Sequence, residues 1–406
     1  MNSPFLTWVR QSNAAKRFAV IAFLLCIAYY ILETINGRAQ MADFRVYYDA
    51  ANAFLHNTQL YGKSFGVSSG FYKYSPFACL PFVPLALLPY KIASIIYYLL
   101  VAFSIVWFSL YLLYLFHSKT EKQLALKTTR IGWILFTISL FMADHLEREL
   151  HLGNVNLFLL IGVVFSFVLI EKNKSTAAGI IYGVLLLFKP HFIILLPYFI
   201  WKKQWKVIAS SVFTIACGLF LPALFKGIGA NQQLLEDWLG AMRDHNMRLE
   251  ESPNTIYGIV NHFVLNHQGN VNLVFLLLAL VGGFFIWFLI RNQKKNGNSK
   301  VNFIEYFLLI ALIPNLAHTD TEHFMWTWPF IALIFMSLFT QEIKRRWMYI
   351  ALMIIAFVPY CLNSPDIVGR TLEQLFDEGG LLGVANLIIA SVAVMLHLRS
   401  STNVVA

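Results

Sequence analysis

Asp43 is the side chain in this sequence best placed to do chemistry. It opens the run Ala42 to Tyr61 (ADFRVYYDAANAFLHNTQLY), with Arg45, Tyr47, Tyr48 and Asp49 close behind it. If the segment is helical, Asp43 is its N-cap or a first-turn residue, where the positive end of the helix dipole steadies a carboxylate. The same carboxylate can take a proton from a substrate hydroxyl as a general base. Position alone leaves cap and base both open, and one residue can do both jobs.

Four further clusters carry polar chemistry. Asp144 to Asn156 (DHLERELHLGNVN) crowds acids, imidazoles and amides between two apolar runs. As a helix it would place Asp144, Glu147 and His151 on one face, which suits a metal or an acid–base pair but equally a solvated turn with local ion pairs. Its last four residues, Gly153-Asn154-Val155-Asn156, read as an amide-rich helix start lining a cavity, which nominates Asn154 and Asn156. Lys189-Pro190-His191 sits at the vertex of two short apolar segments, too short to span alone, so the vertex is expected below the surface. A lysine at that depth needs an anion, and a phosphate is the obvious one, unless the side chain snorkels to water. Arg243, Asp244, His245 and Arg248 end an amphipathic stretch and can clamp a phosphate or simply face headgroups. His318 and His323 flank Asp320 and Glu322 ahead of Trp326 and Trp328. An aromatic belt at the membrane interface accounts for the tryptophans but not for the imidazoles.

What positions these groups is a membrane body. Of the 406 residues, 58% are hydrophobic, 16% aromatic and only 13% charged, against roughly a quarter charged in a soluble domain. The apolar runs lack the alternation of barrel strands, so the expectation is an all-α polytopic integral membrane protein. They predict about 12 transmembrane helices, from 17–35 and 90–116 through to 380–398, several of them short of a full crossing. The first run has the length of a retained helix and no cleavage site after it. Tyr74 to Pro89 holds four prolines and is expected to lie in the outer face, not to cross it. The net charge of +10 comes from Lys and Arg in alternate short loops, such as Lys202, Lys203 and Lys206, or Lys344, Arg345 and Arg346. That pattern puts both termini in the cytoplasm and the two long loops, 36–89 and 225–270, outside. It speaks against nucleic-acid binding. No CxxC or metal spacing links the four cysteines, and no P-loop or Rossmann fingerprint occurs.

The order of these motifs resembles glycosyltransferase family 87. The resemblance rests on Asp43-x-x-x-Tyr47, Leu60-Tyr61, Tyr74-x-Pro76 and Pro84 to Pro89, followed by Gly153-Asn154-Val155-Asn156, which is close to that family's Gly-Gln-x-Asn. Ala178-Gly179, Lys189-Pro190, the basic turn at 202–206 and Pro314 with the His323 to Trp328 region continue it. It covers most of residues 30–330, with Asn154 in place of the usual Gln and an altered order of Trp and His after residue 318.

The resemblance implies a C-type glycosyltransferase fold, with residues 1–406 as a single membrane-embedded domain and interfacial helices in the long outer loops. It implies an enzyme of the cytoplasmic membrane that moves one sugar, mannose first among candidates, from a polyprenyl-phosphate donor to a lipid-linked or envelope glycan acceptor on the outer face. Asp43 matches the family's catalytic aspartate, Lys189 its Lys-Pro lysine, and His323 or His318 its late histidine. Arg45, Tyr47, Asn154, Asn156, His191, Arg243 and Arg248 complete the expected substrate and phosphate contacts. No cofactor and no metal is expected beyond the lipid-linked donor; the partners are membrane lipids, the donor and the acceptor glycan. A lipid or glycan flippase is the rival reading, disfavoured by the lack of internal repeats and by polar residues gathered at one side. An O-antigen ligase or polymerase would share the donor and the outer site.

Overall fold

The computed structural model describes residues 3–65, 70–119, 128–244, 252–265, 271–296, 300–317 and 320–400. Among them, helices dominate, and six are long and apolar enough to cross a membrane: Asn13–Ile35, Tyr90–Ser118, Trp205–Lys226, Asn272–Asn292, Thr321–Thr340 and Leu381–Arg399. A seventh crossing results if the bent pair Ala143–Leu152 and Asn156–Glu171 counts as one span. The chain is thus an all-α, multi-pass membrane protein. Thr129–Phe141, Ser175–Phe188, Pro190–Trp201, Phe303–Leu316 and Arg346–Cys361 are apolar but shorter. They fall where apolar runs were expected.

Burial divides the spans. Helix Asn13–Ile35 turns Val20, Ile21, Leu24 and Leu25 outward, and Asn272–Asn292 does the same with Phe275, Leu276 and Leu280. Such bare apolar faces are stable only against lipid. Thr321–Thr340 instead runs through the core. Trp326 and Trp328 are fully enclosed there, Trp326 against Phe192 at 4.8 Å between ring centroids and Trp328 edge-on to Phe108 at 5.0 Å. The expected interfacial belt at these two residues is therefore corrected: both are packing residues.

The proline-rich segment behaves as its sequence demands. Pro76–Phe82 forms a 3-10 helix with Pro81 inside it and passes into the single α-turn Val83–Ala86, so no continuous spanning helix forms. Ahead of it lies a feature absent from the expectation, a two-stranded antiparallel hairpin pairing Ser64 with Phe71 and Phe65 with Gly70. The amphipathic stretch in the second long loop folds as helix Ile228–Asp244.

Helices Ser175–Phe188 and Trp205–Phe220 pack in direct backbone contact. A Cβ at Gly179 would lie 1.9 Å from Ser210 Oγ and 2.3 Å from the carbonyl oxygen of Val207. Only glycine allows that backbone contact. Because Lys189 caps the first of these helices, the contact also sets its depth. Gly179→Val should lower the unfolding midpoint in detergent, at a cost of about 1–3 kcal/mol for overpacking. An unchanged midpoint would show that the two helices part without penalty.

A second buried polar centre sits at the far end of the 190–201 segment. Lys202 Nζ lies 2.8 Å from Glu305 Oε2, which also accepts the Tyr198 hydroxyl at 2.8 Å. Both charges are buried, and Glu305 Oε1 has no partner among the described residues.

Candidate active site

The site is built around a broken helix. Helix Ala143–Leu152 ends at Gly153, whose φ of 65° is left-handed, and the chain turns through 118° into Asn156–Glu171. Glu149, fully buried, reaches across the break so that its Oε1 accepts the Leu157 backbone N–H at 2.8 Å. This satisfies one of the open donors of the second helix. The break leaves Asn154 and Asn156 pointing to two different partners.

Asn154 Nδ2 donates to Asp43 Oδ2 at 2.6 Å, while its Oδ1 accepts the Tyr47 hydroxyl at 3.3 Å and the Val155 N–H at 2.7 Å. Asn156 Oδ1 accepts from Lys189 Nζ at 2.6 Å. One four-residue corner therefore holds the carboxylate with one amide and the ammonium with the next but one. Lys189 Nζ also donates to His323 Nε2. His323 Nδ1 is 2.9 Å from the Asp320 carbonyl oxygen, so Nδ1 carries the proton and Nε2 accepts.

Asp43 lies in the first turn of helix Ala42–Leu55, but Met41 is the cap, and the carboxylate forms no capping bond. Of the two readings open from position, the side chain does not serve as a cap. It faces Asn154 and stays partly exposed. Burial, then the nearby charge of Glu322, pushes its pKa up to about 6, with Lys189 opposing. At neutral pH it is mostly ionised and near enough to 7 to exchange a proton readily.

The remaining candidates divide. Tyr47 is in place, with its hydroxyl 3.3 Å from that of Tyr74. His191, in the 3-10 turn Pro190–Ile194, brings its ring to 6.2 Å from that of His323. Arg45 is committed elsewhere: its Nε is 2.7 Å from Asp49 Oδ2 and its guanidinium stacks on Tyr90 at 4.3 Å. Two residues on from Asp43, it emerges about 200° around the helix. Arg243 is exposed in the last turn of Ile228–Asp244, and no hydrogen bond or ion pair joins it to the site among the described residues. Arg248 and His318 lie outside the described residues.

Two features escaped the reading of the sequence. Arg148 forms an ion pair with Glu322, Nη2 to Oε1 2.7 Å, which ties the broken helix to the turn Thr321–Thr327 that carries His323. Lys73, between the buried Tyr72 and the half-buried Tyr74, is the other. The faces of Ala143–Leu152 are used for tethering: His151 Nδ1 is 2.7 Å from Glu33 Oε2, and Tyr29 donates to Glu147. Among the described residues no three His, Cys, Asp or Glu side chains gather as a metal site.

A Cβ at Gly153 would lie 2.7 Å from Met41 Cε and 2.9 Å from Phe44 Cβ, on a backbone already at positive φ. Gly153→Ala should therefore push the Asp43 helix off Asn154 and lower turnover by at least about tenfold, a loss of roughly 1.4 kcal/mol. Wild-type turnover in this variant would show that the Asp43–Asn154 contact is dispensable.

One amide-bearing corner thus holds a carboxylate and an ammonium inside a multi-pass membrane body. The profile of glycosyltransferase family 87 matches residues 71–314. The chain belongs to that family. Asn154, Asn156, Lys189 and His191 fall within the matched range, whereas Asp43 and His323 lie outside it. The chain is also similar to an alpha-(1->3)-arabinofuranosyltransferase of Corynebacterium glutamicum, 24% identical over 233 residues, which is 55% of this chain and 52% of that protein. It spans about half the length of that curated relative. No solved structure matches it.

Proposed function

We propose that this enzyme transfers one sugar from a polyprenyl-phosphate donor to a lipid-linked or envelope glycan acceptor, with inversion at the anomeric carbon. The observation that carries the reading is the corner Asn154-Val155-Asn156, whose two amides bind the Asp43 carboxylate and the Lys189 ammonium. Asp43 accepts the proton of the acceptor hydroxyl as its oxygen bonds to the anomeric carbon. The bond from that carbon to the phosphate oxygen breaks, and the polyprenyl phosphate departs with its charge facing Lys189. Neutral His323 fixes the ammonium by accepting a hydrogen bond from it at Nε2. The reaction draws on no cofactor.

The reading takes residues 1–406 as one catalytic domain of the C-type glycosyltransferase fold, in the cytoplasmic membrane, with the site on the outer face and both termini inside. The shorter apolar helices then complete a set of about twelve crossings with the six long ones. The transferred sugar is mannose on the motif resemblance, and arabinofuranose on the activity named for the corynebacterial relative.

The test uses the protein in lipid nanodiscs with radiolabelled polyprenyl-phosphate mannose and polyprenyl-phosphate arabinofuranose, and membrane glycolipid as acceptor. Label passing to a glycolipid product from one donor supports the reading and names the sugar. Silence with both, together with movement of intact donor across the bilayer, would favour a flippase. For topology, Gln232→Cys should react with an impermeant maleimide in intact cells and Arg345→Cys only after permeabilisation, both in a Cys217→Ser background. The reverse pattern would invert the assigned faces.

A further inference from the structure

We propose that Glu149 is a positioning residue for the transfer, a neutral carboxyl that clasps both ends of the corner holding Asp43 and Lys189. Its place in the reaction rests on the sugar-transfer reading above. On the near side of the corner, the Gly153 N–H donates to the Glu149 carbonyl oxygen at 3.0 Å. On the far side, the Leu157 N–H donates to Glu149 Oε1 at 2.8 Å. Only Asn154, Val155 and Asn156 lie between those two points. A further bond comes from helix Tyr90–Ser118, where the Tyr97 hydroxyl donates to the Asn154 carbonyl oxygen at 3.1 Å. One residue thus spans the stretch in which the chain turns through 118°. Asn154 binds Asp43 and Asn156 binds Lys189, so the placing of both reactive groups is inherited from that clasped backbone.

The surroundings of Glu149 suit an acceptor and not a charge. The side chain is wholly enclosed, and its Oε2 has no hydrogen-bond partner among the described residues. The neighbouring cations are committed elsewhere. Arg148, the preceding residue, is paired with Glu322, and Lys189 donates to Asn156 and His323. His145 lies one turn back on the same helix face, buried edge-on against the Tyr360 ring at 4.4 Å. Neither of its ring nitrogens makes a hydrogen bond among the described residues, so it does not pair with Glu149 either. An ionised carboxylate enclosed in this way with no bonded cation carries a heavy desolvation cost. A protonated carboxyl avoids that cost and still offers its carbonyl oxygen to the Leu157 N–H. The corner then has two acids with different tasks, set apart by their environments. Asp43 takes the proton of the acceptor hydroxyl, and Glu149 holds the frame in which it does so.

The experiment compares Glu149→Gln and Glu149→Leu with wild type in the nanodisc transfer assay, alongside infrared spectra that need no turnover. Glu149→Gln keeps an oxygen for the Leu157 N–H and has no charge to lose. Its kcat should stay within about threefold of wild type, with an unchanged pH profile, because that profile belongs to Asp43. Glu149→Leu removes the acceptor and leaves the Leu157 N–H without one. Its kcat should fall about tenfold or more, with KM for the sugar donor held within about threefold. Glu149→Asp, one methylene short of Leu157, should be slowed likewise and supplies the comparison should Glu149→Leu not fold. The infrared difference between wild type and Glu149→Gln at neutral pH should contain the C=O stretch of a protonated carboxylic acid. Full turnover in Glu149→Leu or Glu149→Asp would overturn the clasp. Glu149→Gln as slow as Glu149→Leu, a shifted pH profile, or absence of the carboxylic acid band would overturn its neutral form. Silence of wild type with both labelled donors would strike the transfer reading alone, and the infrared band would still decide the state of Glu149.

Discussion

Asp43→Asn is expected to lower turnover by a factor of about 10²–10⁴, the usual contribution of a positioned general base, without loss of folded protein. The substitution keeps shape and leaves a carbonyl oxygen to accept from Asn154, so the architecture of the corner survives. Two further signatures separate a base from a structural carboxylate. In the wild type, kcat/KM should fall as the pH is lowered through about 6, where Asp43 takes up a proton. Stability should move the other way. The folded-state pKa of about 6 exceeds the ordinary 3.8, so the advantage of the protonated form is full below pH 3.8 and is lost as the pH rises through 6. At pH 7.5 the ionised carboxylate is therefore a liability. Its neutral replacement should raise the unfolding midpoint, with a gain of about 1 kcal/mol once partial exposure is allowed for. A variant as active as wild type would remove Asp43 from the mechanism. A variant that is inactive and less stable would make it a structural residue.

Lys189→Met should cost at least about a hundredfold in turnover and should also destabilise the protein. Its ammonium is the donor to two buried acceptors, Asn156 Oδ1 and His323 Nε2. Removing it strands both of those contacts, at roughly 1–3 kcal/mol for each unsatisfied group. Lys189→Arg should not restore activity, because a planar guanidinium is wider than the buried ammonium, which already has Trp326 at 5.7 Å and Tyr74 at 5.9 Å from Nζ. Thermal unfolding and single-turnover transfer, measured on the same preparations, check both halves. Full rescue by arginine would mean that charge alone, and not the fitted geometry, is what the site requires.

The heart of this site was legible because membrane proteins tolerate few polar residues at helix ends. Asp43, Asn154, Asn156, Lys189 and His323 each stood out against an apolar background, and the structure brings all five together. What could not be read were pairings between distant segments. Arg148 and Glu322 are separated by 174 positions, and each alone looks like a solvated loop charge. Glu149 read as part of a polar turn, yet it is wholly enclosed. Trp326 and Trp328 failed for a related reason, since a tryptophan at the mouth of an apolar helix looks the same whether it meets headgroups or Phe192 and Phe108. Arg45 was recoverable in principle: its four-residue spacing from Asp49 is the signature of a helical ion pair, facing away from Asp43. Lys73 carried a fainter mark, as one of two lysines, with Lys63, in a long loop assigned to the acidic side of the membrane.

The buried pair of Lys202 and Glu305 bears on how the chain is made. Its two halves leave the ribosome roughly a hundred residues apart, on the order of ten seconds at ordinary synthesis rates. During that interval Lys202 has no carboxylate to meet, and a lone ammonium within hydrocarbon is costly. The 190–201 segment is also too short to be held across a bilayer by its own hydrophobicity. Insertion of the middle of the protein therefore stays provisional, with the lysine kept at the aqueous boundary, until Phe303–Leu316 delivers Glu305 and the centre locks. The long, lipid-facing helices can be handed to the bilayer as they emerge, whereas the short ones must wait for one another.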